Sequence, residues 1–555
     1  MNTETQAGSL RSALTYEPLE LQFGTSGRRG KVRDLTQLEI YINVLAELEY
    51  LQSLPPSEGG ITRGEELFFA RDLRPSSAAF VAEEGGRGEI AQAVVAAIHD
   101  AGMRPVNAGV IPTPALACFA LARGKGSIMV TGSHIPFDRN GYKTNSSRGE
   151  LLKQQEGPVN RRVGQVREQV YARAAGESPF DPRGMFKTGH QELPPEQPEP
   201  RASWIARFTA FFAGQTLAGK RILVYQHSAV GRDLLVELLG RLGAEVIAAG
   251  RSLTFVPIDT ENIGAPQLAA IQLLVDEAVP QHGPLDAVVS TDGDSDRPLI
   301  LGLDPATGRA HFFGGDLVGM IVAEYLRADA VVVPISCNDA VDRGTLSGIV
   351  QPKTRIGSPF VIAGMEAARR QGKLRICGWE ANGGFLTGTD IERDGKLLTA
   401  LPTRDAFLPI LATLFAASRK GLTLIELFAR LPKRFSRAAL LGQFPRAVSL
   451  SLIEYLAPGA TPGSAPEENR RRLARFFPSS LGFGNILRVD YTDGVRVLFD
   501  NGDVAHVRPS GNADELRIYS VADTQSRADA IAAHGVAEPG GILRSMEKAV
   551  TSQVS

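Results

Sequence analysis

Three cysteines among 555 residues, Cys118, Cys337 and Cys377, stand far apart and form no C-x-x-C pair. That spacing argues against a disulfide scaffold or a thiolate zinc site, and it suits a reducing compartment. There is no excess of either charge: 60 basic residues face 61 acidic ones, for a formal net charge of -1. A nucleic-acid or membrane-surface partner, which favours a strong basic excess, therefore has no support, and any affinity for phosphate must come from local clusters. Apolar runs of about 18 residues are missing, as expected of a chain that does not span a membrane. The first twenty residues, MNTETQAGSLRSALTYEPLE, carry no apolar signal-peptide core, so a cytoplasmic location is expected. What remains is ordinary globular composition, 43% hydrophobic and 22% charged, in a length that suits about three to four domains.

Short apolar runs alternate with helical patterns. Leu67–Ala70 and Ser127–Val130 predict buried strands on either side of a helix at Glu89–Ala101. The proline-rich segment ELPPEQPEPR, from Glu192 to Arg201, predicts a linker. The rhythm then restarts with a strand at Arg221–Tyr225, a helix at Gly231–Leu242 and strands at Glu245–Ala249 and Asp286–Ser290. A third round has a helix at Asp316–Leu326, a strand at Ala330–Pro334 and a helix at Pro359–Arg370. The last hundred residues differ, with a hairpin expected from Asn485–Tyr491 and Val495–Asp500 around Thr492-Asp493-Gly494. The pattern predicts three α/β units followed by one α+β unit. Residues 145–190 are charged and poorly periodic, either an inserted helix and loop near a site or surface decoration.

Four loops carry chemistry. Ser290-Thr-Asp-Gly-Asp-Ser-Asp-Arg297 places Asp292, Asp294 and Asp296 behind an apolar strand, where they can converge on a hard cation such as Mg²⁺, with Arg297 beside it. An EF-hand is excluded: counted from Asp292, the required glycine is Arg297 and the required glutamate is Leu303. Met129-Val-Thr-Gly-Ser-His-Ile-Pro-Phe-Asp-Arg-Asn-Gly-Tyr-Lys143 sets Ser133 just past a strand, flanked by Gly132 and His134. The glycines of a hydrolase nucleophile elbow are replaced by Thr131 and Ile135, and an Asn140-Gly141 turn is expected to bring Lys143 back to the same edge. Gly378-Trp-Glu-Ala-Asn-Gly-Gly-Phe385 offers Glu380 and Asn382 to sugar hydroxyls, with Trp379 either stacked on a ring or in the core. Arg508-Pro-Ser-Gly-Asn-Ala-Asp-Glu-Leu-Arg517 offers Ser510, Gly511 and Asn512 to an anion, with Arg508 and Arg517 as forked donors or as plain surface residues.

In this order the loops resemble those of the α-D-phosphohexomutase family: T-A-S-H-N-P, D-G-D-x-D-R, G-E-x-S-G and R-x-S-G-T. The opening Phe23-Gly-Thr-Ser-Gly-Arg-Arg-Gly30 is similar to that family's F-G-T-S/D-G-x-R-G, so the resemblance runs from Phe23 to Tyr519. It implies an α/β fold of four domains around a central cleft, three similar units with mixed sheets and a C-terminal α+β domain, divided here at 1–200, 201–313, 314–435 and 436–555. It implies a phosphohexose mutase, acting on mannose or glucose phosphates through a phosphoserine and a bound hexose 1,6-bisphosphate, as a monomer or small homo-oligomer. Ser133, Asp292, Asp294 and Asp296 would hold Mg²⁺; Arg29, His134, Lys143 and Arg297 would line the transfer site, with Lys143 as proton-transfer group. Thr354, Gly378, Glu380 and Asn382 would bind the sugar, and Arg508, Ser510, Gly511, Asn512 and Arg517 the phosphate not being transferred. A bisphosphate synthase or phosphatase on the same scaffold, or a non-catalytic sugar-phosphate binder, are the alternatives. Departures from the family pattern are Gly132 for alanine, Ile135 for asparagine, Asn382 for serine, Glu515 for a basic residue, and Ser358 where some members carry histidine.

Overall fold

The apolar runs become inner strands of four sheets in a computed structural model that describes residues 8–24, 26–261, 263–458, 466–510 and 514–554. In the first sheet the order is Arg28–Lys31, Arg139–Ser146, Ser127–Val130, Glu66–Arg71, Arg104–Val110. The second runs Glu245–Arg251, Arg221–His227, Ala287–Thr291, Pro298–Leu303, Ala310–Phe312, and the third Ala330–Val332, Ile376–Trp379, Phe385–Thr387, Leu401–Asp405. One device recurs in all three. A fully buried central strand pairs parallel with a strand on one side and antiparallel with the next strand in sequence on the other. The hairpin connection leaving that strand is the serine loop, the metal loop or the sugar loop, so each motif stands where the sheet changes from parallel to antiparallel pairing. The fourth sheet is antiparallel throughout, in the order Phe435–Gly442, Glu515–Ala522, Val504–Pro509, Val495–Phe499, Ile486–Asp490. Its phosphate loop is again a hairpin connection, between Val504–Pro509 and Glu515–Ala522.

Three local expectations are corrected. Asn140 and Gly141 lie inside the eight-residue strand Arg139–Ser146; the reversal comes earlier, in the serine loop. Gly141 is there because a Cβ would sit 2.0 Å from the Arg28 carbonyl oxygen of the neighbouring strand. Residues 145–190 are not decoration: the helix Lys153–Ala172 buries Val159, Val163, Val166 and Val170, a 4-3-4 spacing on one face, against the helix Gln37–Gln52. The proline-rich segment is extended only in part, since a helix begins at Glu199 with Pro200 in its first turn, where a missing N–H costs nothing.

That helix, Glu199–Phe211, is central to the packing. Trp204 and Phe208 meet Phe407 of the third unit, and Phe212 stacks on Phe415 with ring centroids 4.6 Å apart. One apolar cluster thus runs from Phe68 and Phe119 through Leu238 to Trp379 and Phe407, joining the first three units, while the fourth sheet and its helices enclose a cluster of their own. Among the described residues, no helix is long and apolar enough to cross a membrane.

Candidate functional site

Ser133 is fully buried with φ of 54°, a left-handed conformation that costs a non-glycine residue roughly 1 kcal/mol or more and persists only where neighbours enforce it. They do so here. Its N–H donates to Thr131 Oγ1 at 2.8 Å, and Thr131 donates in turn to Asp72 Oδ2 at 2.8 Å. Arg74, also buried, donates to the carbonyls of Ser133, Ile135, Pro136 and Arg139 at 2.5–3.0 Å, so a single guanidinium shapes the whole loop. Arg74 lies face-on to the Phe255 ring, 3.7 Å away. Gly132 is the space it needs, since a Cβ there would come within 2.5 Å of Arg74 Nε. Neither Asp72 nor Arg74 was singled out in the sequence; the available signal was Asp72-x-Arg74 directly after a buried strand.

The metal loop folds back on itself around Asp292, whose Oδ1 accepts from the N–H groups of Asp296 and Arg297 at 3.1 and 3.2 Å. Its Oδ2 accepts from Ser133 Oγ at 3.0 Å, which joins the serine loop to the metal loop. Carboxylate oxygens of Asp292, Asp294 and Asp296 all lie within 4.8 Å of one another, and all three residues are buried. Lys143 Nζ donates to Asp294 Oδ2 at 2.7 Å and Asp296 Oδ2 at 2.8 Å, and Thr113 Oγ1 donates to Asp294 at 2.7 Å. Asp294 Oδ1 and Asp296 Oδ1 remain buried with no hydrogen-bond partner among the described residues. Burial, followed by the charges of Asp294 and Asp296, pushes the Asp292 carboxyl well above its usual range. Asp296 is held low: burial opposes ionisation, but Arg404, Lys143 and Arg297 outweigh it. Crowded carboxylates with orphaned oxygens are what a hard divalent cation relieves, and an all-oxygen donor set suits one. The residues fit such an ion.

The other transfer-site residues gather here. Arg297 Nε is 3.6 Å from Asp296 Oδ1 and 3.9 Å from Asp292 Oδ2. His134 Nδ1 is 3.4 Å from Ser133 Oγ, and burial, then Arg297 and Arg29, drive its pKa well below 6.5, which leaves a neutral ring. Arg29, on the strand Arg28–Lys31 in register with Gly141, is lowered to about 10 by burial, which outweighs the attraction of Asp294. Its surface is only half-buried, yet the guanidinium sits deep among these charges.

Arg404 connects this cluster to the sugar loop. It donates to Asp296 Oδ2 at 2.9 and 3.1 Å and to Glu380 Oε2 at 3.1 Å. The sequence offered no sign of it. Asn382 braces its own loop, its Oδ1 accepting from Gly384 N at 3.0 Å and its carbonyl from Thr260 Oγ1 at 2.8 Å. Gly378 and Trp379 are core residues. Gly378 lies within the strand, where a Cβ would meet Val361 at 2.5 Å, and Trp379 packs on Gly319 and stacks on Phe385, so neither reaches a sugar ring.

In the fourth sheet Arg508 and Arg517 are direct cross-strand partners flanking the phosphate loop, not scattered surface residues. Two like charges so placed repel unless anions intervene; Asp493 accepts from Arg508 at 3.0 Å, and Glu515 from Arg517 at 3.3 Å. Asp493 also accepts from Ile356 N at 2.9 Å, which brings Arg508 beside the segment containing Thr354, whose own hydroxyl donates to the Arg355 carbonyl at 2.8 Å. Ser510 is buried and its N–H donates to the Glu515 carbonyl at 3.0 Å; Gly511 and Asn512 lie outside the described residues.

Known proteins carry the same organisation. Family models described as phosphoglucomutase/phosphomannomutase match in three places: alpha/beta/alpha domain I over residues 20–168, domain III over 314–435 and the C-terminal domain over 460–537. The phosphomannomutase of Salmonella muenchen is 37% identical over 524 residues, covering 93% of this chain and 95% of its own. That of Sinorhizobium fredii is 36% identical over 518 residues, covering 93% and 98%. Two solved structures share the fold. A phosphoglucomutase/phosphomannomutase family protein of Burkholderia thailandensis has a TM-score of 0.64 at 18% identity, covering 95% of this chain and 97% of that one. An Aspergillus fumigatus N-acetylphosphoglucosamine mutase, solved with GlcNAc-6P and magnesium, has a TM-score of 0.51 at 16% identity, covering 98% of each. Matched along nearly its whole length by relatives above one-third identity, and by family models over the stretches that hold its serine, sugar and phosphate loops, the chain belongs to the phosphoglucomutase/phosphomannomutase family.

Proposed function

We propose that the protein interconverts hexose 1-phosphates and hexose 6-phosphates, of mannose and/or glucose, in the cytoplasm, with Ser133 carrying the phosphoryl group and hexose 1,6-bisphosphate as bound intermediate and activator. The supporting observation is the buried junction in which Ser133 Oγ donates to Asp292 beside two further aspartates, Lys143 and Arg297. The likeness to two phosphomannomutases along nearly the whole chain favours mannose among the sugars. The intact set of serine, aspartates and Arg297 argues against a non-catalytic binder.

Ser133 Oγ, Asp292, Asp294 and Asp296 would hold Mg²⁺, which neutralises charge on the phosphoryl group in transfer. Transfer needs mainly in-line positioning and charge neutralisation. Arg29, Arg297 and His134 line the phosphoryl position. The bond from phosphorus to Ser133 Oγ breaks as that to the sugar oxygen forms; Lys143 gives one of its protons to the freed Oγ and takes the sugar hydroxyl's proton in its place, so it ends as it began. Glu380 and Asn382 orient the sugar, with Thr354 nearby. Arg508, Ser510, Gly511, Asn512 and Arg517 hold the idle phosphate, and after the bisphosphate turns over they hold the other one. Units at 1–200, 201–313, 314–435 and 436–555, one loop from each, would exclude water when the fourth closes; the four separate sheets support that division.

The test is a mutase assay with Mg²⁺ and a trace of glucose 1,6-bisphosphate, comparing mannose 1-phosphate with glucose 1-phosphate. Turnover should fall by at least about a thousandfold in Ser133→Ala and by about a hundredfold or more in Lys143→Met. No turnover on either sugar, with Ser133 unphosphorylated, would sink the reading; near-normal turnover in Lys143→Met would remove Lys143 from proton transfer.

A further inference from the structure

Arg404 lies outside every motif of the sequence, yet it bonds both the metal loop and the sugar loop. It is almost completely buried, on the strand Leu401–Asp405 of the third sheet. Two of its nitrogens bond Asp296 Oδ2, a third bonds Glu380 Oε2 at 3.1 Å, and the same nitrogen lies 3.5 Å from Ser358 Oγ. Its strand is anchored to the first unit as well: Thr403 Oγ1 and Ser358 Oγ each donate to Glu150 at 2.7 Å. The slot it occupies exists because residue 384 is glycine, for a Cβ there would stand 2.5 Å from Arg404 Cδ and 2.7 Å from Cγ. Gly384 and Arg404 are therefore a size-matched pair.

We infer that Arg404 is a positioning residue for both substrate and cation, fixing the Glu380 carboxylate for the sugar hydroxyls and the Asp296 carboxylate for the metal. A planar fork can hold two carboxylates at set angles, which a lysine ammonium cannot. By engaging Glu380 Oε2 it leaves Oε1 to the sugar. By engaging Asp296 Oδ2 together with Lys143 it leaves to the cation the Oδ1, which has no hydrogen-bond partner among the described residues and only Arg297 Nε at 3.6 Å as an ion-pair neighbour. Outer hydrogen bonds of this kind set the orientation of metal-binding carboxylates, and their loss costs about ten- to a hundredfold in affinity or activity. The two binding events are thereby coupled through one side chain, so that specificity for the sugar and affinity for the cation depend on a residue that touches neither.

This rests on the mutase reading, and the experiment separates the two. Wild-type turnover on mannose 1-phosphate and glucose 1-phosphate tests the reading; the variants test Arg404. In Arg404→Met and Arg404→Lys the KM for the sugar phosphate should rise about ten- to a hundredfold, more than kcat falls. Mn²⁺ binding, followed calorimetrically without sugar, should weaken about tenfold. Gly384→Ala, which keeps the arginine side chain but pushes it out of its slot, should shift both quantities in the same direction. Circular dichroism and melting establish that each variant is folded. Folded Arg404→Met with KM and Mn²⁺ affinity both unchanged would make Arg404 merely structural and overturn the inference. Tighter Mn²⁺ binding would overturn it too, because the guanidinium would then only oppose the cation. Should Arg404→Met fail to fold, Gly384→Ala decides by the same two measurements.

Discussion

Single residues carry the strain and charge of the site. Ser133 is held in a left-handed conformation by Thr131 and Arg74, so the direction of its hydroxyl depends on a residue 59 positions away. Gly132, which departs from the family's alanine, is explained by that arginine. Gly132→Ala should push the guanidinium off the loop carbonyls and lower kcat about tenfold or more through misplacement of Oγ, with a small change in melting temperature. Steady-state kinetics and the phosphorylation level of Ser133 would check this, and an unchanged kcat would show that Arg74 gives way freely. The gathering of Ser133, His134, Lys143, the three aspartates and Arg297 in one place was expected from the sequence; all but Lys143, which lies within the strand Arg139–Ser146, stand in loops just past buried strands. Arg74, Arg404 and Asp493 were not, since each acts through contacts with residues distant in the chain.

At the level of elements, the buried strands Glu66–Arg71, Ser127–Val130, Arg221–His227 and Ala287–Thr291 were visible because they contain continuous apolar runs. The strand Arg139–Ser146 was missed because its sequence, RNGYKTNS, is polar and contains Asn-Gly, a turn signal overruled by its place between two strands. The helix Lys153–Ala172 was hidden in the same way: four valines supply its buried face while charge dominates its composition. The strand Val504–Pro509 allows a pH prediction. His506 is fully buried, its Nε2 2.6 Å from the Asp493 carbonyl and its Nδ1 without a hydrogen-bond partner among the described residues, and burial lowers it to about 4 from 6.5. Because the folded value lies below the unfolded one, the unfolded chain binds more protons between these limits. The stability from neutral His506 is present above pH 6.5 and is lost as pH falls toward 4, about 3 kcal/mol in all. Denaturant unfolding of wild type and His506→Gln between pH 7 and 4 should show a shallower acid loss in the variant. Parallel acid limbs would exclude His506.

For the whole molecule, one apolar cluster joins the first three units and a separate one fills the fourth. Polar contacts cross between them. Arg434, held within the third unit by Asp339 at 2.7 and 3.0 Å, reaches Asp523 of the fourth at 2.6 Å, and Asp493 accepts from Ile356 N. Interfaces of this kind allow a domain to move and to melt on its own. Calorimetry should resolve two transitions. Leu516→Ala, in the core of the fourth unit, should destabilise one by about 2–5 kcal/mol, and Trp204→Ala, where the first three units meet, the other by about 3–5 kcal/mol. A single transition moved equally by both would show that the four units unfold together.

Local chemistry behind recognisable strands made the family, the order of the four loops and the residue types gathered at the candidate site legible along the chain. Only the tertiary structure decided which loops touch. It placed Ser133 against Asp292 across 159 residues and Arg508 opposite Arg517 across a sheet, and set Arg404 between two carboxylates in the space left by Gly384. The physical reason is that hydrogen-bond partners and steric slots are set by how sheets pack, and a pattern read along one chain carries no record of which surfaces will face each other.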